Sequence, residues 1–111
     1  PSSLAPGYTG NTCIGDFVKG TKDGKPAEVF IYNVSDHKEA FNEVGSQGIS
    51  YTAGVPPVAA AMLVATGEWD VKTMANVEEL PPKPFLHILN QNGLPTRIRD
   101  ENGDRALDFS K

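Results

Sequence analysis

Between Val55 and Ala65 the chain carries no charged residue, and a helix built from this stretch presents hydrocarbon on every side. Val55, Val58, Ala59 and Met62 fall on one stripe, while Ala60, Ala61, Leu63 and Val64 fill the rest of the circumference. Such a helix is stable only when it is surrounded. A chain of 111 residues builds one small domain with a modest core and cannot cover that helix on every side. The segment therefore predicts further structure packed on it, either an upstream domain or a second subunit. Thr52 precedes Ala53-Gly54-Val55-Pro56-Pro57, so the two prolines read as first-turn residues and Gly67 as the stop.

The rest of the chain supplies little that could do the covering. Residues 1–10, PSSLAPGYTG, read as an irregular lead-in ahead of the structured part at 11–111. Cys13 to Val18 and Glu28 to Val34 are β-like runs joined by the turn-rich Thr21-Lys22-Asp23-Gly24-Lys25, a hairpin signal. In the second run Val29, Ile31 and Asn33 share one face and Phe30, Tyr32 and Val34 the other, so this strand needs cover on both sides. Ser35 or Asp36 can cap a helix from His37 to Val44, with a break near Gly45 and Gly48. A further helix runs from about Pro82 to Asn92, with Phe85, Leu86, Ile88 and Leu89 inward and Gly93 ending it. Asn102-Gly103 marks a second small hairpin in the tail. The expected class is α+β: a β-hairpin or small mixed sheet with about three helices.

Charge and cysteine content remove several functions. At a net charge of −4 the chain has no basic face for phosphate backbones, so no nucleic-acid partner is expected. The short basic run Thr96-Arg97-Ile98-Arg99 reads as a solvated strand edge. One cysteine excludes an internal disulfide and a Cys-based zinc site. Cys13 sits in an apolar alternation and reads as a buried thiol. There is no secretory h-region and no apolar run long enough to span a bilayer, so no membrane partner is expected and cytoplasm is the default.

The chemically dense part runs from Asp36 to Gly54, where hydroxyls, an amide, an imidazole and carboxylates precede the apolar helix. Two readings stand side by side: a pocket that orients a polar small molecule, or caps that satisfy two helices and the bend between them. No GxGxxG or Walker-type loop is present, so the chain cannot hold a dinucleotide pyrophosphate in the usual way. Pro56 and Pro57 also remove two N–H groups from any anion site there; a carboxamide or a substrate carboxylate suits that position better. His37 and His87 form no metal-binding pair, and His87 reads as a surface or boundary residue. No serine lies in a nucleophile-elbow pattern, so a catalytic residue is not identifiable.

YNVSDH at 32–37, EVGSQ at 43–47, ISYTAGVP at 49–56, GEW at 67–69, NVEEL at 76–80 and PKPF at 82–85 occur in order and at compact spacing. This pattern resembles the C-terminal part of the saccharopine dehydrogenase family, in its saccharopine or carboxynorspermidine dehydrogenase-like branch. The resemblance implies an upstream Rossmann domain, an α+β substrate and dimerisation domain, and last helices that return to the nucleotide-binding domain. It implies a homodimeric NAD(P)-dependent oxidoreductase of lysine metabolism or polyamine biosynthesis. Its reaction would be reduction of the imine between an amine and an aldehyde or keto acid, or the reverse oxidation, on an amino-acid or polyamine substrate. On this reading Ser50, Tyr51, Thr52 and Gly54 lie near the nicotinamide. Asp36, His37, Ser46 and Gln47 lie toward substrate or the subunit contact. The glycine-rich loop and any acid–base residue would lie upstream, so neither NADP nor NAD is expected to bind tightly to this chain alone. The alternative is a free-standing dimerisation or small-molecule-binding module without catalysis.

Overall fold

Asp23 and Gly24 both adopt positive φ, 52° and 77°, which lets two right-twisted strands reverse within two residues. Around this turn β1 (Asn11–Lys22) and β2 (Lys25–Asp36) pair antiparallel along their whole length in the computed structural model, which describes residues 7–109. The hairpin is longer than the apolar runs that predict it. A Lys19–Glu28 ion pair of 2.7 Å carries the ladder beyond Val18, and Asn11 opposite Asp36 closes its other end. Most of the lead-in expected over 1–10 lies outside the described residues.

The tail forms a second hairpin, β3 (Arg97–Asp100) and β4 (Gly103–Ala106), and β3 pairs antiparallel with β2 through Phe30, Ile31 and Tyr32. The result is one four-stranded sheet in the order β1-β2-β3-β4. This corrects the expectation that 96–99 is a solvated edge. β3 is flanked on both sides, Thr96 is buried, and Arg97 and Arg99 both bond Asp104 on the neighbouring strand. Tyr32 is buried. Its ring stacks on Phe30 at 4.6 Å and it donates its hydroxyl to Asp104 Oδ2 at 2.5 Å, while a Cβ on Gly15 of the neighbouring strand would collide with the Tyr32 Cβ and the Ile31 carbonyl.

Three α-helices occupy the Asn11–Asp36 end of the long hairpin: α1 (His37–Val44), α2 (Gly48–Ala65) and α3 (Pro82–Gln91). Asp36 Oδ1 caps α1 by accepting from Lys38 N and Glu39 N at 2.8 and 2.9 Å, and Gly45 ends it in the left-handed region. α2 begins at Gly48, not near Thr52. Pro56 and Pro57 consequently lie inside the helix, and the carbonyls of Thr52 and Ala53 lose their i+4 donors. Ala59, Leu89 and Leu94 form the core, with Tyr51, Val55, Phe85, Leu86 and Ile88 packed against it. Trp69 closes one end of it, stacked on Phe85 and donating Nε1–H to the Pro81 carbonyl. Two asparagines lock helices to sheet: Asn33 Nδ2 donates to the Leu94 and Pro95 carbonyls, and Asn90 accepts from Thr96 N and donates to the Leu107 carbonyl.

Among the described residues the apolar helix is covered on one side only. Of its 18 residues only Gly48, Thr52, Ala59 and Leu63 are buried, while Val58 is 61% exposed and Met62 49% exposed. Two expectations need correction. Cys13 is exposed, on the edge strand β1. And α2, at 18 residues and a mean hydropathy of 1.4, is long and apolar enough by length and composition to cross a membrane. Its polar first turns break that pattern: the purely apolar part, 55–65, rises only about 16 Å, half the thickness of a bilayer core.

Candidate functional site

The C-terminal ends of α1 and α3 converge on one side of α2 and leave a cavity of about 590 Å³ between them. α2 forms its long wall, with Ser50, Tyr51, Gly54, Val55, Val58 and Met62. Glu43, Val44 and Ser46 close it from the α1 end, and Ile88, Gln91, Asn92 and Gly93 from α3. Helical spacing produces the wall, since positions 51, 54, 55, 58 and 62 share one face of α2.

Tyr51 is the fixed point of this site. Its hydroxyl donates to the Asn92 carbonyl at 2.9 Å, tying the first turn of α2 to the end of α3. Gly93, at φ 79°, leaves the space that the hydroxyl fills. Burial first, and the Glu43 carboxylate second, push the Tyr51 phenol above its ordinary value, so the group remains a neutral donor. A smaller cavity of about 60 Å³ adjoins the first on the far side of Tyr51 and is lined by Ser35, Asp36, Glu39 and Glu43.

The structure brings some of the sequence-derived candidates together and separates others. Ser46, Ser50, Tyr51 and Gly54 line the main cavity. Thr52 points away from it; it is buried and its hydroxyl donates to the Ile49 carbonyl. Asp36 reaches only the small cavity, with one carboxylate oxygen occupied by the α1 cap. His37 accepts from Gly48 N through Nδ1 at 3.0 Å and meets Tyr8 edge-on, so it serves the start of α2. Gln47 holds the N-cap position of α2 without a side-chain capping bond and lines neither cavity. Within 36–54 some residues thus line a cavity and others cap or anchor helices. Among the described residues no group of three or more His, Cys, Asp or Glu side chains could hold a metal ion.

Glu43, Gln91, Asn92 and Gly93 did not figure among the sequence-derived site residues. The signal for the last three was faint, because nothing local shows that the end of α3 meets the start of α2. Glu43 belongs to the EVGSQ motif and could have been found there.

No family model matches the chain. Curated relatives do. The chain is 50% identical over 100 residues to a carboxynorspermidine synthase of Vibrio alginolyticus and 51% identical over 94 residues to one of Vibrio cholerae. It is 48% identical over 95 residues to a carboxyaminopropylagmatine dehydrogenase of Synechocystis. These matches cover 85 to 90% of the chain but only 23 to 24% of each relative, so the chain spans about a quarter of their length. The names fall on the carboxynorspermidine side of the resemblance drawn from the motifs and do not include saccharopine dehydrogenase. They give no support to a free-standing, non-catalytic module.

Proposed function

We propose that this chain is the C-terminal part of an NAD(P)-dependent oxidoreductase that builds a carboxylated polyamine by reducing an imine. The observation that carries the reading is identity of about half, over nearly the whole chain, to enzymes named as a carboxynorspermidine synthase and a carboxyaminopropylagmatine dehydrogenase. The bare apolar flank of α2 supports it: Val58 and Met62 are where a further domain of the same protein, or a second subunit, would pack. A nucleotide-binding domain is the reading's choice for that cover, and the whole enzyme is read as a homodimer.

In the proposed reaction a primary amine condenses with the carbonyl of an aldehyde or keto acid, losing water and forming a C=N bond. A nicotinamide cofactor would supply the hydride that, with a proton taken up at nitrogen, converts this imine to a secondary amine. The chain's own residues fit one end of that cofactor only. Ser46 and Ser50 offer hydroxyls, and Gly54 offers a wall without a side chain, for the flat carboxamide-bearing ring. The pyrophosphate finds no glycine-rich loop here. This chain's contribution would be to orient: Tyr51, fixed by Asn92, would give the bound groups a rigid cavity floor.

The test is made on the protein from its full reading frame. Nicotinamide absorbance is followed with amine and carbonyl partners present together and separately, and the product is identified by mass. Consumption of NADPH or NADH only when both partners are present, with a secondary amine as product, is the expected result. No consumption with any pair would remove the proposal.

A further inference from the structure

The chain contains two Asn-Gly pairs, Asn92-Gly93 at the end of α3 and Asn102-Gly103 in the turn between β3 and β4. Asparagine ahead of glycine is chemically vulnerable. Glycine has no Cβ to shield its amide nitrogen, and that nitrogen can attack the carboxamide carbon of the preceding residue. Both pairs are exposed, so water and base reach each of them alike. Both glycines also take positive φ, 79° and 98°. What separates the pairs is how each asparagine is held.

Asn92 is held twice. Its Nδ2 donates to the Ile88 carbonyl at 2.8 Å, and its own carbonyl accepts from the Tyr51 hydroxyl at 2.9 Å. The second bond fixes the peptide plane between residues 92 and 93, which has to turn before the Gly93 nitrogen can face the carboxamide. The Tyr51 hydroxyl also fills the space beside Gly93. Asn102 differs on each count. Its backbone N–H donates to Asp100 Oδ1 at 2.8 Å, but its carboxamide has no hydrogen-bond partner among the described residues. A Cβ on Gly103 would meet nothing within 4 Å, so no neighbouring atom braces that peptide from this side.

We infer that Asn102 is a site of spontaneous deamidation in the folded protein, and that the Tyr51 contact spares Asn92. At Asn102 the Gly103 nitrogen loses its proton to base and forms a bond to Cγ. The Cγ–Nδ2 bond breaks and ammonia leaves. Water then opens the five-membered imide at either carbonyl, giving aspartate or isoaspartate. Both products add a carboxylate next to Glu101 and close to Asp100, and isoaspartate also inserts a methylene group into the backbone of the turn. Asp104, which binds Tyr32, Arg97 and Arg99, lies two residues further on, so a longer turn displaces it from the register that serves all three. Nothing in this inference depends on the imine-reducing reading.

The experiment ages the full-length protein in mildly alkaline buffer, folded and in guanidinium chloride. Peptide mass spectrometry follows conversion of amide to acid at both asparagines, and electron-transfer fragmentation tells isoaspartate from aspartate. In the folded protein Asn102 is expected to react about tenfold or more faster than Asn92, since two hydrogen bonds must open before Asn92 can react. In denaturant the two rates should converge. Tyr51→Phe, shown to be folded by circular dichroism, should speed Asn92 by about fivefold, the equivalent of one hydrogen bond, and leave Asn102 unchanged. Hydrogen exchange of residues 97–106 should quicken as isoaspartate accumulates. Equal rates in the folded protein, or no reaction at Asn102 while the unfolded chain reacts, would overturn the inference. So would a difference that persists in denaturant, because neighbouring sequence and not structure would then set it.

Discussion

The Tyr51 hydroxyl occupies the space that a Cβ on Gly93 would fill, while donating a 2.9 Å hydrogen bond to the neighbouring Asn92 carbonyl. The first turn of α2 and the end of α3 are thus keyed together by the absence of one methyl group. Gly93→Ala meets both this collision and a positive φ of 79°, and the expected cost is about 2–3 kcal/mol. Adding Tyr51→Phe, which withdraws the colliding oxygen, should return part of it, with a coupling above about 0.5 kcal/mol in a denaturation cycle. Strict additivity would show that the two residues do not meet.

Gly54 and Arg97 should separate activity from stability. A Cβ at Gly54 meets nothing within 4 Å among the described residues. This glycine is an exposed position within α2, where valine is a better helix former than glycine. Gly54→Val is expected to leave the melting temperature unchanged or slightly raised while cutting kcat/KM by about tenfold or more, because the side chain fills the cavity. Arg97→Ala removes two bonds to Asp104 on the sheet and should do the reverse. Equal loss of activity in both would count against the cavity as the site.

Trp69 is the single tryptophan and is buried at 3% exposure, so its fluorescence reports the core directly. Trp69→Ala removes the stack on Phe85 and should cost about 3–5 kcal/mol. Trp69→Phe keeps an aromatic ring but loses the Nε1–H bond to the Pro81 carbonyl, a loss of about 1 kcal/mol. Chemical denaturation of the two variants checks the order.

Acid should weaken the sheet through Asp104. The Tyr32 hydroxyl, then Arg99 and Arg97, hold its carboxyl at about 2, below the ordinary 3.8. A carboxyl lowered on folding stabilises the fold above its unfolded value, and that stability is lost as pH falls from about 4 toward 2. Stability measured across this window should fall in the wild type and less steeply in Asp104→Asn. Parallel curves would mean that the network around Tyr32 is not formed in solution.

Much of the fold was legible because its signals are local. Asp23-Gly24, Asn102-Gly103, Asp36, Gly45, Gly67 and Gly93 each act within a few residues, and each marks a turn or a helix end where the sequence placed it. What was not legible depends on distant pairing. Nothing near Arg97 reveals that its strand docks on Tyr32, 65 positions earlier, and merges the two hairpins into one sheet. The start of α2 was misplaced for a different reason. Prolines favour a first turn on average, but here Gly48 bonds to His37 and the helix begins about one turn earlier. The candidate site divides along the same line: the α2 wall follows from helical period, whereas Asn92 and Gly93 enter only through tertiary contact.

The two prolines within α2 leave the ladder short of two rungs at its middle, between the Tyr51 end and the bare flank at Val58 and Met62. Mechanically α2 is therefore a pair of short levers on a common axis, joined where the backbone resists bending least. A body docking on the outer lever can tilt it while Tyr51 remains pinned to Asn92, so the cavity wall at Val58 and Met62 would move without disturbing the floor at Tyr51.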